Sequence, residues 1–283
     1  IAMYRAKKAT GSGFKFYTQA VQKLHLYRTN ILELLRNALD NNEFHLVYQP
    51  IIDLKSKKMV GMEALIRWEN PKIKSIGPDE FIPIAEESGL IVPIGDWVIK
   101  QALEQYAAWS KQFSLSININ INLSIKQLLT EEIVIKMKSI LDDNQIDPNK
   151  VLLELTETAL ITDIKHSNKI LEQFKRYGLN FSMDDFGTGY SSMTLLKVLP
   201  LTEIKIDKSF TRDIMIDQND AAIVKSIISL ANNLNLSMVA EGIETKDQLD
   251  FLIKHGCKKG QGYYFSHPLD VDEMTNYLKK QEK

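Results

Sequence analysis

The chain has 283 residues, of which 44% are hydrophobic and 25% charged, and its formal net charge is −1. This ordinary globular composition provides enough apolar residues for a large core. The balanced charge excludes a long-range attraction to nucleic acid or to an anionic membrane, so any phosphate-bearing ligand must be bound by local cations. The one cysteine, Cys257, excludes an internal disulfide and a cysteine-based zinc site.

The sequence contains neither a signal-peptide pattern nor the run of about 18 apolar residues that a membrane span requires. We therefore expect a cytoplasmic protein. Because the sequence begins at Ile1 and not at a methionine, we interpret it as part of a longer chain. Any tether to the inner membrane would then lie in the missing N-terminal region.

The first 42 residues precede the main domain. Residues 1–18 have the pattern of a helix end, a glycine turn and a short aromatic strand, which is too little for a domain. Residues 19–42 carry apolar side chains at helical spacing, among them Leu24, Tyr27 and Ile31. This pattern predicts a connecting helix that leads into a domain over residues 43–283. A scaffold role, in which this helix pairs with a copy of itself, is less favoured than packing on the domain.

From Phe44 onward, short strands alternate with helices. The predicted strands are 44–51, 59–67, 116–123, 151–156, 179–184, 203–206, 237–240 and 260–265. The predicted helices are 79–88, 93–111, 125–141, 161–176, 192–198, 219–234, 245–255 and 271–281. This order predicts an α/β fold of the TIM-like (β/α)8 barrel type. Only the first two strands lack a helix between them, so the first strand should be antiparallel.

Polar residues recur at the C-terminal ends of the predicted strands, where barrels of this type carry their function. They are Glu63, Arg67, Asn122, Glu154, Glu157, Asp184, Asp185, Lys205, Asp207, Glu241, Glu244 and Gln261. The third strand alternates isoleucine with asparagine from Ile117 to Asn122, so its asparagines share one face. Any one of these residues alone would be an ordinary surface or salt-bridge residue. Their joint placement predicts a single polar site.

Asp184 and Asp185 are adjacent, and neighbouring side chains of a strand point to opposite faces. Both can serve one site only if the strand ends there and the backbone turns, which the glycines that follow would allow. Two adjacent carboxylates repel each other unless a cation or a proton lies between them. A plain acidic turn with a helix N-cap is the alternative for this pair taken alone.

A buried group of five or more carboxylates cannot stay ionised without cations. Oxygen ligands with one asparagine favour Mg²⁺ or Mn²⁺ over zinc, and the five histidines show no zinc-type spacing. The number of acids predicts two ions, about 3.5–4 Å apart in sites that displace phosphoryl groups. Lys205 is either a counter-ion or a group that positions the attacking water.

With these residues identified, residues from about 30 to 280 resemble an EAL domain, the cyclic di-GMP phosphodiesterase family. The resemblance rests on motifs that occur in the family's order. They are Tyr48-Gln49-Pro50, Glu63-Ala64-Leu65, Asn122-Leu123-Ser124, Glu154-Leu155-Thr156-Glu157, Asp184 to Ser192, Ile204-Lys205-Ile206-Asp207, Ala240 to Thr245 and Gln261-Gly262-Tyr263. Residues 1–18 resemble the closing segment of a GGDEF (diguanylate cyclase) domain.

The resemblance implies hydrolysis of one phosphodiester bond of cyclic di-GMP to give linear pGpG. Roles for eleven residues follow from it residue by residue. Metal ligands would be Glu63, Asn122, Glu154, Asp184 and Asp185; catalytic residues Lys205, Glu241 and Glu63; substrate-binding residues Gln49, Arg67, Asp207 and Gln261. Lys205 and Glu241 would order the attacking water, and Arg67 would pair with a phosphate of the substrate.

The resemblance also implies a homodimer, coupled to the active site through the loop after the fifth strand. The residues expected to support that loop are Glu157, Glu244, Phe186, Gly187, Thr188 and Gly189. An upstream GGDEF or sensor domain is the expected partner within the full-length chain.

Two alternatives come from other classes. One is a receptor that binds cyclic di-GMP without cleaving it, although such receptors usually lack a metal ligand, the lysine or the loop motif, which are all present here. The other is a metal-dependent enolising barrel enzyme, which would leave the intact loop motif unexplained.

Overall fold

The computed structural model describes residues 19–129, 132–157, 160, 164–187 and 192–281. They cluster in two compact units. One contains the residues up to Phe44 together with Trp68–Leu90, and the other contains His45–Arg67 and the residues from Ile91 onward. Among the helices of the described part, none combines the length and the apolar content that a membrane crossing requires.

The described residues form one nine-stranded sheet. Its strands are β1 (Phe44–Asp53), β2 (Met59–Asn70), β3 (Lys74–Ile76), β4 (Asn118–Asn122), β5 (Val151–Thr156), β6 (Asn180–Phe186), β7 (Glu203–Ile206), β8 (Ser237–Ala240) and β9 (Lys259–Gly260). The strand order is β1-β9-β8-β7-β6-β5-β4-β2-β3, and a further pairing of β1 with β2 closes eight of the strands into a barrel.

Strand β1 is antiparallel to β9, whereas the pairings from β2 through β4 to β9 are parallel. The predicted TIM-like barrel with an antiparallel first strand is therefore confirmed. Strand β3 lies outside the barrel and pairs with the end of β2.

Ten α-helices lie within the described ranges. They are α1 (Gln19–Leu35), α2 (Pro78–Ser88), α3 (Ile91–Gln112), α4 (Glu132–Asn144), α5 (Ile164–Arg176), α6 (Ser192–Val198), α7 (Lys208–Asp213), α8 (Gln218–Asn233), α9 (Lys246–Lys254) and α10 (Val271–Gln281). Most follow a parallel strand, as the barrel topology requires.

The last strand was predicted too long. Residues 260–265 were expected to be extended, but β9 ends at Gly260. Gly262 has φ 154°, and a Cβ there would lie 2.2 Å from the carbonyl oxygen of Ile243. The chain therefore turns at a point where only glycine fits. Tyr263 and Tyr264 resemble strand residues by type but are exposed.

Other differences concern short or terminal elements. Helix α1 ends at Leu35, and turns replace the predicted continuation to residue 42. Helix α4 begins at Glu132 and not at 125, with a 3-10 turn over Gln127–Leu129. The predictions contained neither α7 nor β3. Both elements are too short to have a periodicity of their own.

The predicted remnant over residues 1–18 lies outside the described residues, and the domain boundaries at 19 and 43 stay predictions. Within the first unit, Trp68 packs edge-on against Phe81 with 5.5 Å between ring centroids. The indole nitrogen of Trp68 donates to Glu43 at 2.9 Å. In the barrel, Ile119 and Ile121 of β4 are fully buried, which leaves the asparagines of that strand on the other face.

Candidate active site

The ammonium group of Lys205 lies at the centre of the polar site. The side chain is buried inside the barrel on β7. Its Nζ is 2.7 Å from Glu154 and from Glu241, 3.0 Å from Glu63 and 3.5 Å from Asp184. Four acids, three of them on β2, β5 and β6 and the fourth directly after β8, thus converge on one cation. We call these five residues the acid cluster.

Glu63 on β2 has donors at both of its carboxylate oxygens. Asn122 donates from Nδ2 to Oε1 at 2.8 Å. Lys205 and Gln261 both donate to Oε2, at 3.0 and 2.7 Å. These contacts hold the carboxylate of Glu63 in one orientation.

Glu154 on β5 is held by a residue that the site predictions missed. Asn120 Nδ2 donates to Glu154 Oε1 at 2.7 Å, while Lys205 donates to Oε2 at 2.7 Å. The alternation of asparagine and isoleucine in β4 could have identified Asn120, because it places Asn120 on the inward face with Asn122. The family motif contains only Asn122, so Asn120 was not carried over.

Gln261 lies inside the acid cluster. Its Nε2 donates to Glu63 at 2.7 Å and to Glu241 at 3.0 Å. Its Oε1 is buried and has no hydrogen-bond partner in the described part of the chain. A buried acceptor without a donor indicates a place for a water or a ligand group.

The two adjacent aspartates are accommodated by a bulge and not by the end of the strand. Strand β6 continues to Phe186, and its register against β7 shifts between Met183 and Phe186. Asp185 has φ 55°, in the left-handed region, and its N–H donates to Asp184 Oδ1 at 3.0 Å. The expected strand end at Asp184 is therefore wrong, because the bulge itself turns the backbone.

The charges of the cluster shift its pKa values in opposite directions. Burial alone would lower the pKa of Lys205, but the surrounding acids, led by Asp184 and Glu154, raise it well above the ordinary value. Burial also raises the pKa of Glu154 well above its usual range, with a further contribution from Glu63, and that of Glu241 to about 8. For Glu63, burial alone would raise the pKa, but the charge of Lys205 and the hydrogen bonds from Gln261, Asn122 and Lys205 together lower it.

Asp185 lies at the edge of the cluster. Burial and the neighbouring Asp184 and Asp207 raise its pKa to about 6. Asp207 also caps helix α7, since its Oδ1 accepts a hydrogen bond from the N–H of Ser209 at 2.9 Å. The structure thus gives Asp207 a capping contact in addition to its proximity to Asp185.

The remaining predicted substrate-binding residues lie outside the contacts of Lys205. Gln49 is buried on β1, and its Nε2 donates to the carbonyl of Ser266 at 3.2 Å. Arg67 is half-buried and donates to the carbonyl of Ile66 at 2.8 Å.

The predicted loop supports are only partly described. Glu157 is fully buried and accepts a long, 3.4 Å hydrogen bond from the N–H of Gly187, next to the buried Phe186. Thr188 and Gly189 lie outside the described residues. Glu244 is exposed, and its N–H donates to Gln248 at 2.8 Å.

The donor chemistry of the acid cluster fits a hard divalent cation. Within the described ranges, no three acid, histidine or cysteine side chains are arranged around a common metal position. The acids converge on Lys205 instead. The raised pKa values of Glu154 and Glu241 mean that protons offset part of the excess negative charge. Because a divalent cation can replace such protons, the oxygen-rich set is suited to bind one.

Comparison with known proteins identifies the family. A family model for the EAL domain matches residues 32–268. The chain belongs to the EAL domain family. It is 39% identical over 273 residues to MucR of Pseudomonas aeruginosa, which is named a bifunctional diguanylate cyclase/cyclic di-GMP phosphodiesterase. That match covers 96% of this chain. It is 35% identical over 271 residues to the cyclic di-GMP phosphodiesterase PA2567 of the same species, covering 95% of this chain.

The EAL fold is also found in solved structures. The PaMucR phosphodiesterase in complex with c-di-GMP superposes with a TM-score of 0.83 at 40% identity, over 87% of this chain and 99% of that one. This EAL chain spans 40% of the length of MucR and 46% of the length of PA2567. The likeness therefore concerns a part of those longer proteins.

Proposed function

We propose that this EAL chain hydrolyses cyclic di-GMP to linear pGpG. The observation that carries the proposal is the acid cluster around Lys205, at the functional end of a barrel whose family includes named cyclic di-GMP phosphodiesterases. A structural role for this cluster would need one acid for each cation. Four acids for one ammonium favour a site that binds further positive charge.

EAL phosphodiesterases depend on metal ions, and the proposed ions here are Mg²⁺ or Mn²⁺, two in number. The proposed ligands are Glu63, Asn122, Glu154 and Asp184 for one ion and Asp184 with Asp185 for the other. When bound, such ions would polarise the phosphoryl oxygens and lower the pKa of a bound water. The left-handed backbone at Asp185 supports this set, because it lets both aspartates serve one site.

The proposed catalytic groups are Lys205, Glu241 and Glu63. Lys205 would steady the charge that develops on the phosphate and hold the attacking water. Glu241, 2.7 Å from that ammonium, would orient the same water. The buried Oε1 of Gln261 is a further acceptor beside Glu63 and Glu241, and it supports the presence of an ordered water there.

Arg67 would bind a phosphate of the substrate through its planar guanidinium group. Gln49 and Gln261 would contact guanine or sugar edges, and Asp207 would complete the substrate-binding set. The contacts of Gln261 within the acid cluster favour a role closer to the reacting phosphate than to a base.

We further propose a homodimer and an upstream GGDEF or sensor domain. The exposed apolar side chains of Val198, Met215 and Ile216 support an interface in the segments that follow β6 and β7. Glu157, Phe186, Gly187, Thr188 and Gly189 would link that interface to the site, with Glu244 nearby.

The decisive experiment is incubation of the chain with cyclic di-GMP and Mg²⁺ or Mn²⁺, with chromatography of the products. We expect pGpG from the native chain and none from a Glu63→Ala variant, because the variant lacks an acid of the cluster. An Asn118→Ala variant, at a half-buried position of β4 outside the acid cluster, is the control. Tight binding of cyclic di-GMP without product under either ion would contradict the proposal and favour the receptor.

A further inference from the structure

We propose that Asn120 is a positioning residue of the proposed reaction, because it fixes the orientation of the Glu154 carboxylate. This inference rests on the proposed function. It concerns a residue outside the family motifs on which the site was predicted.

The location of Asn120 is unusual for an amide. The side chain is 2% exposed and points into the barrel from β4, where branched apolar residues normally fill the layers. A buried amide is retained only where its polar atoms are hydrogen-bonded. Its Nδ2 has such a partner in Glu154 Oε1, at 2.7 Å.

The two asparagines of β4 brace the acids of the flanking strands crosswise. Asn120 is level with Glu63 of β2, and Asn122 is level with Glu154 of β5. The hydrogen bonds run diagonally, from Asn122 to Glu63 and from Asn120 to Glu154. Each acid therefore receives one amide donor from the strand between them.

The brace fixes the orientation of the Glu154 carboxylate. Asn120 donates to Oε1 and Lys205 donates to Oε2, so the carboxylate plane is fixed by two donors on different strands. In the described part of the chain, Asn120 is the residue whose side chain donates to Oε1. Without it, the carboxylate could rotate about its last bond, and its two oxygens would exchange positions.

The consequence reaches the cation that Glu154 is proposed to bind. Residues that hydrogen-bond a metal ligand orient it, and their loss typically costs about 10–100-fold in metal affinity or activity. We expect Asn120 to act in this way through Glu154, without itself touching the substrate.

The test compares Asn120→Leu with Asn118→Leu. Leucine has nearly the branched shape of asparagine and removes both the donor and the acceptor of the amide. Asn118 lies on the same face of the same strand, two residues earlier, and is half-buried. Thermal melting in EDTA checks that both variants fold.

Two readouts separate positioning from packing. Calorimetric titration with Mn²⁺ alone should show an affinity about 10–100-fold weaker for Asn120→Leu and unchanged for Asn118→Leu. In kinetics with cyclic di-GMP, kcat of Asn120→Leu should fall about 10–100-fold at fixed Mn²⁺, with KM within about threefold. Raising Mn²⁺ should restore part of that kcat.

The outcomes distinguish this inference from the proposed function. Equal Mn²⁺ affinity of Asn120→Leu and the native chain would overturn the role of Asn120 even if both hydrolyse cyclic di-GMP. If Asn120→Leu binds Mn²⁺ more weakly than the native chain but the native chain yields no pGpG, the brace would be supported and only the proposed reaction contradicted. A native chain that binds no Mn²⁺ would overturn both.

Discussion

Two buried charges on β7, only two residues apart, have different surroundings. At the start of the strand, Glu203 is 2% exposed and accepts from Lys259 at 2.9 Å. Nearer its C-terminal end, Lys205 is equally buried but contacts four acids. Glu203 and Lys259 form a pair of one acid with one cation, whereas the acids around Lys205 carry an excess of negative charge.

The difference distinguishes a pair suited to stabilising the fold from a cluster suited to the proposed chemistry. A one-to-one pair, here a buried acid with a partly exposed lysine, balances its own charge and needs nothing further. The acid cluster leaves negative charge that Lys205 cannot balance, which makes it costly unless protons or cations bind. The same strand therefore carries a structural pair at one end and the candidate active site at the other.

Replacing Lys205 should have the largest effect. In Lys205→Met, the four acids lose their common cation, and the developing charge on the phosphate loses a donor. We expect cyclic di-GMP hydrolysis to fall by about 10³-fold. Initial rates at saturating Mn²⁺, with circular dichroism as a check of folding, measure it. A rate within tenfold of the native chain would show that Lys205 is only a counter-ion.

Breaking the Glu203–Lys259 pair at the start of β7 should affect stability and not catalysis. In Lys259→Met, Glu203 stays buried without its partner, so the free energy of unfolding should fall by about 3 kcal/mol. Chemical denaturation measures this loss, and kcat well below the melting temperature should be unchanged. The double variant with Glu203→Gln should recover most of the stability. A lower kcat in Lys259→Met would contradict the division of roles.

The metal-free chain should lose stability as the pH rises. Burial raises the folded-state pKa of Glu241 from an ordinary value near 4.5 to about 8, and that of Asp185 to about 6. The folded state therefore binds more protons than the unfolded state between about pH 4.5 and 8, so unfolding becomes easier across that window. Melting temperatures in EDTA should fall between pH 5 and 8.

Two additions sharpen this pH measurement. Saturating Mn²⁺ or Mg²⁺ should flatten the dependence, because the cation replaces the protons. A Glu241→Gln variant should also flatten it in EDTA. A melting temperature that rises with pH in metal-free buffer would be inconsistent with the excess charge of the acid cluster.

The smallest effect is expected at the surface. Lys136 and Asp96 lie 2.5 Å apart, with side chains 49% and 26% exposed. Solvent screens such a pair, so Lys136→Ala should change the free energy of unfolding by less than about 1 kcal/mol. Denaturation beside Lys259→Met gives the comparison. A loss as large as that of Lys259→Met would remove the contrast between exposed and buried pairs.

Local pattern predicted most of the barrel and the acids of the site. Strand and helix periods predicted the eight barrel strands, and the polar residues at the strand ends predicted which side chains would meet. The elements that were not predicted, such as helix α7, are too short to show a hydrophobic periodicity. The bulge at Asp185 was also missed, since its position depends on how β6 registers against β7.

The sequence by itself determined the fold class, the family and the collection of acids at one end of the barrel, because periodicity and motif order are local properties of the chain. Tertiary structure alone decided that Lys205 is shared by four acids, that Gln261 lies among them and that Asn120 braces Glu154. Those contacts join residues far apart in the chain. Their distances are set by barrel closure and strand register, which no single segment encodes.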